Sequence, residues 1–171
     1  SVEFIIANKE GVLWKESYNL GVARLLEQFS PSDPIRESEI NAIEKHLSSK
    51  LESLIAAVKT FPVKMLVGSS GSFDTLSAMI AKRKYPLLDL AKISSFHVEL
   101  DALEEVHQLL LTLNCDGRRL IPGMDVDRVD NIVLASIMVQ WTLRELGISE
   151  LWQCAFALKE GAILQIIQSE L

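Results

Sequence analysis

The chain has 171 residues, 49% of them apolar and 23% charged, with a formal net charge of −6. That length suits one well-buried core and is tight for two full domains. The pI near 5.1 and mean hydropathy of +0.22 argue against a disordered chain and against a nucleic-acid binder working through bulk positive charge.

In chain order, residues 2–7 and 11–19 read as two strands joined by a tight turn at Asn8-Lys9-Glu10-Gly11, a hairpin signal. Gly21 to Phe29 is a short helix with Val22, Leu25, Leu26 and Phe29 on one side. Asp33 and Pro34 are expected as N-cap and first residue of one long helix running to about Lys59, with Ile40, Ile43, Leu47, Leu51, Leu54, Ile55 and Val58 on its apolar stripe. Val63 to Val67 is a run apolar but for Lys64, expected as a buried strand. After the turn Gly68-Ser69-Ser70-Gly71-Ser72, a helix is marked by Phe73, Leu76, Met79 and Ile80. A strand within 92–100 leads to a helix carrying Leu103, Val106, Leu110 and Leu113. Asp127 to Leu146 reads as a long central helix stopped by Gly147, followed by a strand near 151–156 and a last helix running to the C-terminus. Strands alternating with helices after an opening hairpin give an α/β layered domain.

Cys115 and Cys154 share no metal-ligand spacing and are expected as free thiols of a reducing compartment. His46 and His107 fall in helical stretches and are expected on exposed faces, and His97 joins neither in a zinc or catalytic pattern. The short basic clusters Lys82-Arg83-Lys84 and Arg118-Arg119 are expected as solvated surface. No apolar run reaches membrane-spanning length and no signal peptide is visible, so the expectation is a cytoplasmic protein with neither membrane nor nucleic acid as partner. Ser1 enters a strand at once without an initiator methionine, as in a piece of a longer protein.

The segment Leu66 to Leu76 carries the most information. An apolar strand runs through a glycine- and hydroxyl-rich turn into a helix, which turns backbone N–H groups and the positive helix end toward one point. Such a turn suits a phosphate, and it also suits a plain strand-to-helix junction that needs glycine and a small polar cap.

Five segments in register resemble the second half of the exopolyphosphatase/guanosine-pentaphosphate phosphatase family. Ser1-Val2-Glu3 resembles the end of an Asp-x-Gly-Gly-Gly-Ser-x-Glu phosphate loop, and Asn19-Leu20-Gly21-Val22-Ala23-Arg24-Leu25 resembles the family's Leu-Gly-x-x-x-Leu segment. Gly68-Ser69-Ser70-Gly71-Ser72 is similar to Gly-x-Ser-Gly-Thr. Pro122-Gly123-Met124-Asp125-Val126-Asp127-Arg128-Val129-Asp130 resembles Pro-Gly-Leu-x-x-x-Arg-x-Asp, and Ala157-Leu158-Lys159-Glu160-Gly161 resembles Ala-Leu-Arg-Glu-Gly. Two departures stand out: Cys154-Ala155-Phe156 replaces the family's Ser-Asp-Gly, and Lys159 replaces an arginine.

The resemblance implies one RNase H-like domain over 1–171, of the actin/Hsp70/sugar-kinase superfamily, with a mixed sheet and flanking helices. It implies Mg²⁺-assisted hydrolysis of a terminal phosphoanhydride on inorganic polyphosphate or guanosine pentaphosphate. Phosphate would be held at Ser1, Gly68, Ser69, Ser70, Gly71, Ser72 and Arg128, with Glu3 handling the metal or the attacking water. Glu3 also reads as an edge-strand carboxylate facing water, and Arg128 as an exposed ion-pair partner of Asp127 or Asp130. The family's general base lies in a first domain absent from this chain, so the chain alone is expected to be inactive, with that domain as its partner. The apolar composition also admits a homodimer.

Overall fold

A computed structural model describes residues 1–169. Strands β1 (Val2–Asn8) and β2 (Gly11–Tyr18) form an antiparallel hairpin with a register irregularity at Ile6/Ala7. The Asn8 side chain accepts the Glu10 N–H at 2.8 Å, and Gly11 adopts φ +136°, a combination that closes the tight turn. The inner face of the hairpin buries Ile6 and Tyr18, and Phe4 meets the Tyr18 ring edge-on at 6.0 Å. Helix α1 (Val22–Phe29) follows.

The predicted long helix is two helices, α2 (Glu37–Lys50) and α3 (Glu52–Thr60), broken at the fully buried Leu51. Its predicted start is also corrected. Asp33–Pro34 is a cis peptide, and helix α2 begins at Glu37. The Glu39 carboxylate reaches back to the N–H groups of Arg36 (2.8 Å) and Ser32 (2.9 Å), a capping interaction that replaces Asp33. Hydrogen bonds from Ser32 and from the Arg36 and Ser32 amides hold the Glu39 carboxyl down at about 2. Asp33 is drawn away because its carboxylate takes the Arg118 guanidinium at 2.7 Å and the Cys115 N–H at 2.6 Å. Arg118 is therefore buried rather than solvated, donating also to the carbonyls of Leu113 and Val129. Arg83 and Lys84 stay at the surface in ion pairs with Glu105 and Glu99.

Strands β3 (Met65–Ser69), β4 (Ser95–Val98) and β5 (Glu150–Cys154) form a mixed sheet of order β3-β5-β4, β5 running parallel to β3 and antiparallel to β4. Strand β3 lies at an edge, so its apolar run is not wholly buried: Met65 is 49% and Val67 56% exposed. Helices α4 (Gly71–Lys84), α5 (Leu100–Thr112) and the short α6 (Cys115–Arg119) follow their strands and turns as the chain proceeds.

Helix α7 (Ile132–Glu145) is the central element, buried along nearly all its length and packed on α1, α2, α4 and α5. It starts later than the apolar pattern predicts, because Asp125 accepts the Asp127 N–H at 3.0 Å and caps a separate 3-10 turn, Val126–Arg128. It ends as predicted: Gly147 takes φ +64°, and the N–H groups of Ile148 and Gly147 bond to the carbonyls of Leu143 and Arg144. His107 is a further correction. It is buried between α5 and α7, its Nδ1 2.9 Å from Ser136 Oγ, while His46 is half-buried against the Phe29 ring. Helix α8 (Leu158–Ser169) closes the described chain, and the predicted continuation to the C-terminus lies outside the described residues.

Candidate functional site

The site forms where β3 hands over to α4. Ser70, between them, adopts φ +71° and ψ 172°, a conformation nearly confined to glycine. The carbonyl of Ser70 accepts the N–H groups of Phe73 and Asp74 at 3.0 and 3.2 Å. The N–H groups of Gly71 and Ser72 carry no such bond among the described residues, as expected for a first helical turn. Gly68 is a packing residue here, because the Phe73 ring covers it so closely that a β-carbon would lie 2.1 Å away.

The second wall comes from the loop before α7. Gly123 crosses the α4 backbone with φ +90°, and a β-carbon there would meet the Ala78 carbonyl oxygen at 2.5 Å. That close crossing brings the 3-10 turn 126–128 to the amino end of α4. Arg128 lies directly over Gly71, where a β-carbon would fall 1.9 Å from its guanidinium. The recorded ion-pair partner of Arg128 is Asp125, at a loose 3.8 Å, not Asp127 or Asp130.

Between these walls is a cavity of about 460 Å³, lined by Ser70, Gly71 and Arg128 together with Asp74, Thr75 and Asp125 and by Ala155, Ala157 and Lys159 from the segment after β5. Asp74 Oδ1 accepts the side-chain amide of buried Gln153 at 2.8 Å, and Thr75 donates to the Gly71 carbonyl at 2.8 Å. Phe156 is exposed and outside this lining, so the bulk that replaces the family glycine does not fill the cavity.

The structure thus unites three of the residues singled out in the sequence, Ser70, Gly71 and Arg128. Gly68, Ser69 and Ser72 belong to the same turn without lining the cavity. Ser1 and Glu3 sit on the hairpin instead, outside the lining. Glu3 Oε1 accepts from Ser1 Oγ at 2.7 Å and Ser17 Oγ at 3.0 Å, and these bonds hold its carboxyl below the usual range. Gly21 makes room for that end of the chain, a β-carbon there meeting the Ser1 nitrogen at 2.8 Å. Asp74, Thr75, Asp125 and Gln153 escaped the sequence reading. For Asp74 a signal existed, because it follows Gly71 by three residues and so shares its helix face.

No group of three or more His, Cys, Asp or Glu side chains capable of holding a metal ion exists among the described residues. Carboxylates Asp74 and Asp125 border the cavity beside two cations. Such a donor set fits Mg²⁺ only in its usual phosphate-site mode, with one or two carboxylates and the remaining ligands from phosphate and water.

Residues 1–170 match the model of the Ppx/GppA phosphatase family, and the chain belongs to that family. It is 28% identical over 170 residues to exopolyphosphatase 2 of Mycobacterium tuberculosis, covering 97% of this chain and 52% of that protein. It is 23% identical over 155 residues to exopolyphosphatase 1 of Mycobacterium leprae, covering 90% and 45%. Among solved structures, an exopolyphosphatase from Cytophaga hutchinsonii superposes with a TM-score of 0.92 at 29% identity, covering 98% of this chain and 54% of that one. The Aquifex aeolicus family member gives 0.82 at 21% identity, covering 98% and 53%. The chain therefore spans about half the length of the relatives it matches. The α/β fold with its mixed sheet and flanking helices is the RNase H-like, actin-like fold that the sequence resemblance implied. Among the described residues no helix is long and apolar enough to cross a membrane.

Proposed function

We propose that the chain is the second half of a phosphoanhydride hydrolase that releases terminal phosphate from inorganic polyphosphate or guanosine pentaphosphate. The observation that carries this reading is the guanidinium of Arg128 laid against Gly71 at the amino end of α4. A cation at the positive end of a helix is unfavourable by about 0.3–1 kcal/mol. An anion seated between them reverses the sign, accepting from the guanidinium and from the Gly71 and Ser72 amides. Lys159, which also lines the cavity, adds a second positive charge, and Ser70 adds a hydroxyl.

Phosphoryl transfer asks chiefly for positioning and for compensation of charge on the equatorial oxygens, which this arrangement supplies. Mg²⁺, when bound, neutralises phosphate charge. Asp74 stands at the edge of the cavity, with one oxygen already oriented by Gln153, as the carboxylate to hold it. Glu3, kept ionised by Ser1 and Ser17, is the family-implied carboxylate for the metal or the attacking water. The general base is expected from the other half of a family-length protein, so the chain alone binds phosphate without turning over substrate.

Calorimetric titration of the chain with inorganic phosphate and pyrophosphate tests the seat; Arg128→Ala should weaken binding at least tenfold. In a family-length protein carrying this segment, phosphate release with Mg²⁺ should fall about a hundredfold or more in Arg128→Ala. The substitution of Ser-Asp-Gly by Cys154-Ala155-Phe156 favours one second reading, a diverged family member that serves as a non-catalytic phosphate- or nucleotide-binding or interaction module. Phosphate binding by a family-length protein that releases none from either substrate would establish that alternative.

A further inference from the structure

A second cavity, of about 250 Å³, lies beside the loop that joins α1 to α2 and shares no lining residue with the phosphate seat. Its walls come from α1, that loop, α6 and the start of α7. Leu26, Ile35, Val133 and Leu134 make an apolar surface there, and Arg118, Asp33 and Asp130 bring charge.

The charged groups differ in what they have left to offer. The Arg118 side chain is 5% exposed. Its Nε donates to the Val129 carbonyl and its Nη1 to Asp33 and the Leu113 carbonyl, while its Nη2 has no acceptor among the described residues. The buried side-chain atoms without a partner among those residues are Ser77 Oγ and Asn131 Oδ1. Arg118 Nη2 is not one of them, so it reaches open space, and the open space that Arg118 borders is this cavity. Asp33 is already spent, one oxygen accepting from Arg118 and the other from the Cys115 N–H. Asp130 is not, because its Oδ1 accepts only the weak Cys115 thiol donor at 3.4 Å and its Oδ2 has no donor among the described residues. A buried cation with a donor to spare and an exposed carboxylate thus share one small space with aliphatic side chains.

Charge balance narrows the ligand. An anion alone gains Arg118 but is opposed by Asp33 and Asp130, and a cation alone gains Asp130 but is opposed by the guanidinium. A zwitterion satisfies both. The volume falls below the range of about 300–1,000 Å³ for pockets that take drug-sized ligands, so the occupant is small. We propose that this cavity binds a free apolar α-amino acid. Its carboxylate accepts from Arg118 Nη2, its ammonium donates to Asp130, and its aliphatic side chain lies on Leu26, Ile35, Val133 and Leu134. One bond ties this site to the other, because Arg118 Nε holds the carbonyl of Val129, the residue after Arg128. Occupancy therefore bears on where the Arg128 guanidinium stands. Any effect on phosphate rests on the proposed seat, whereas amino-acid binding does not.

Titration of the 171-residue chain with L-leucine, read by calorimetry and by heteronuclear NMR of backbone and arginine Nε–H groups, tests the site. L-leucine should bind with shifts centred on Arg118, Asp130 and Val133, and the Arg128 Nε–H resonance should move with them. L-leucine methyl ester, which lacks the carboxylate, and isocaproic acid, which lacks the ammonium, should each bind at least tenfold more weakly. Asp130→Asn should weaken L-leucine at least tenfold, and Ile35→Trp, which fills the apolar part of the cavity, should abolish binding, the same spectra showing that both variants are folded. No binding of L-leucine at about 10 mM by the folded chain overturns the proposal. So does equal binding of either single-charge analogue, which would make the cavity a plain cation or anion site. Phosphate is titrated separately, so L-leucine binding without phosphate binding removes the seat and upholds the amino-acid site.

Discussion

At Gly71 a β-carbon would collide with the free end of the Arg128 side chain rather than with backbone. Gly71→Ala should therefore displace the guanidinium at little cost to the fold, within about 0.5 kcal/mol. Phosphate affinity should fall about tenfold with an almost unchanged denaturation midpoint. Gly123 is the opposite case, because its close neighbour is the Ala78 carbonyl and its φ is +90°. Gly123→Ala should cost on the order of 2–3 kcal/mol and also loosen the Arg128 turn, visible together as a lowered urea midpoint and weaker anion binding. Ser70 holds strain at the seat. Ser70→Gly should stabilise the protein by about 1 kcal/mol in urea unfolding while phosphate affinity drops, the hydroxyl having been lost. An unchanged affinity would assign Ser70 to the turn alone.

At the scale of elements, the α5–α7 contact contains a pH-sensitive group. Ser136 Oγ donates to the Val133 carbonyl, so it accepts from His107 Nδ1–H in the core. Burial pushes the His107 pKa down, with Glu104 and Glu44 opposing that shift and Arg144 adding to it. The stability conferred by the neutral ring is present above the ordinary histidine pKa of about 6.5 and declines as pH falls below it, because the unfolded state then takes up a proton that the native state resists. His46 is shifted the same way by burial and by Lys50, and adds to the loss in the same window. Urea midpoints at pH 7.5 and 5 should differ more for the unsubstituted chain than for His107→Gln; equal differences would remove His107 from the account. A second prediction concerns the buried Arg118. Bonds from its guanidinium join Asp33, Leu113 and Val129, three separate segments around α6. Arg118→Leu should cost about 2–3 kcal/mol in urea unfolding, since hydrogen bonds to a charged group are lost and the Leu113 and Val129 carbonyls lose a donor.

At the scale of the whole molecule, hairpin, mixed sheet and central α7 were legible because each repeats a local signal: the Asn8–Gly11 turn, alternation of strands with helices, and the Gly147 stop. Periodicity alone hid the break at Leu51, since α2 and α3 bury the same apolar stripe on either side of it. It also placed Asp33, Arg118 and His107 wrongly, because their partners lie 82, 85 and 29 residues away in sequence. Within the site, the glycine turn and Arg128 could be read from motifs, each being local. Their meeting at Gly71 could not, because it depends on Gly123 crossing α4. Nor could Asp74, Asp125 and Lys159 be grouped before three separate segments were brought to one cavity. By itself, then, the sequence determined the fold class, the family and the turn chemistry, all of which arise from neighbours along the chain. Tertiary structure decided which charges face one another and which apolar faces are left uncovered, because electrostatics and burial act through space between residues that the chain keeps far apart.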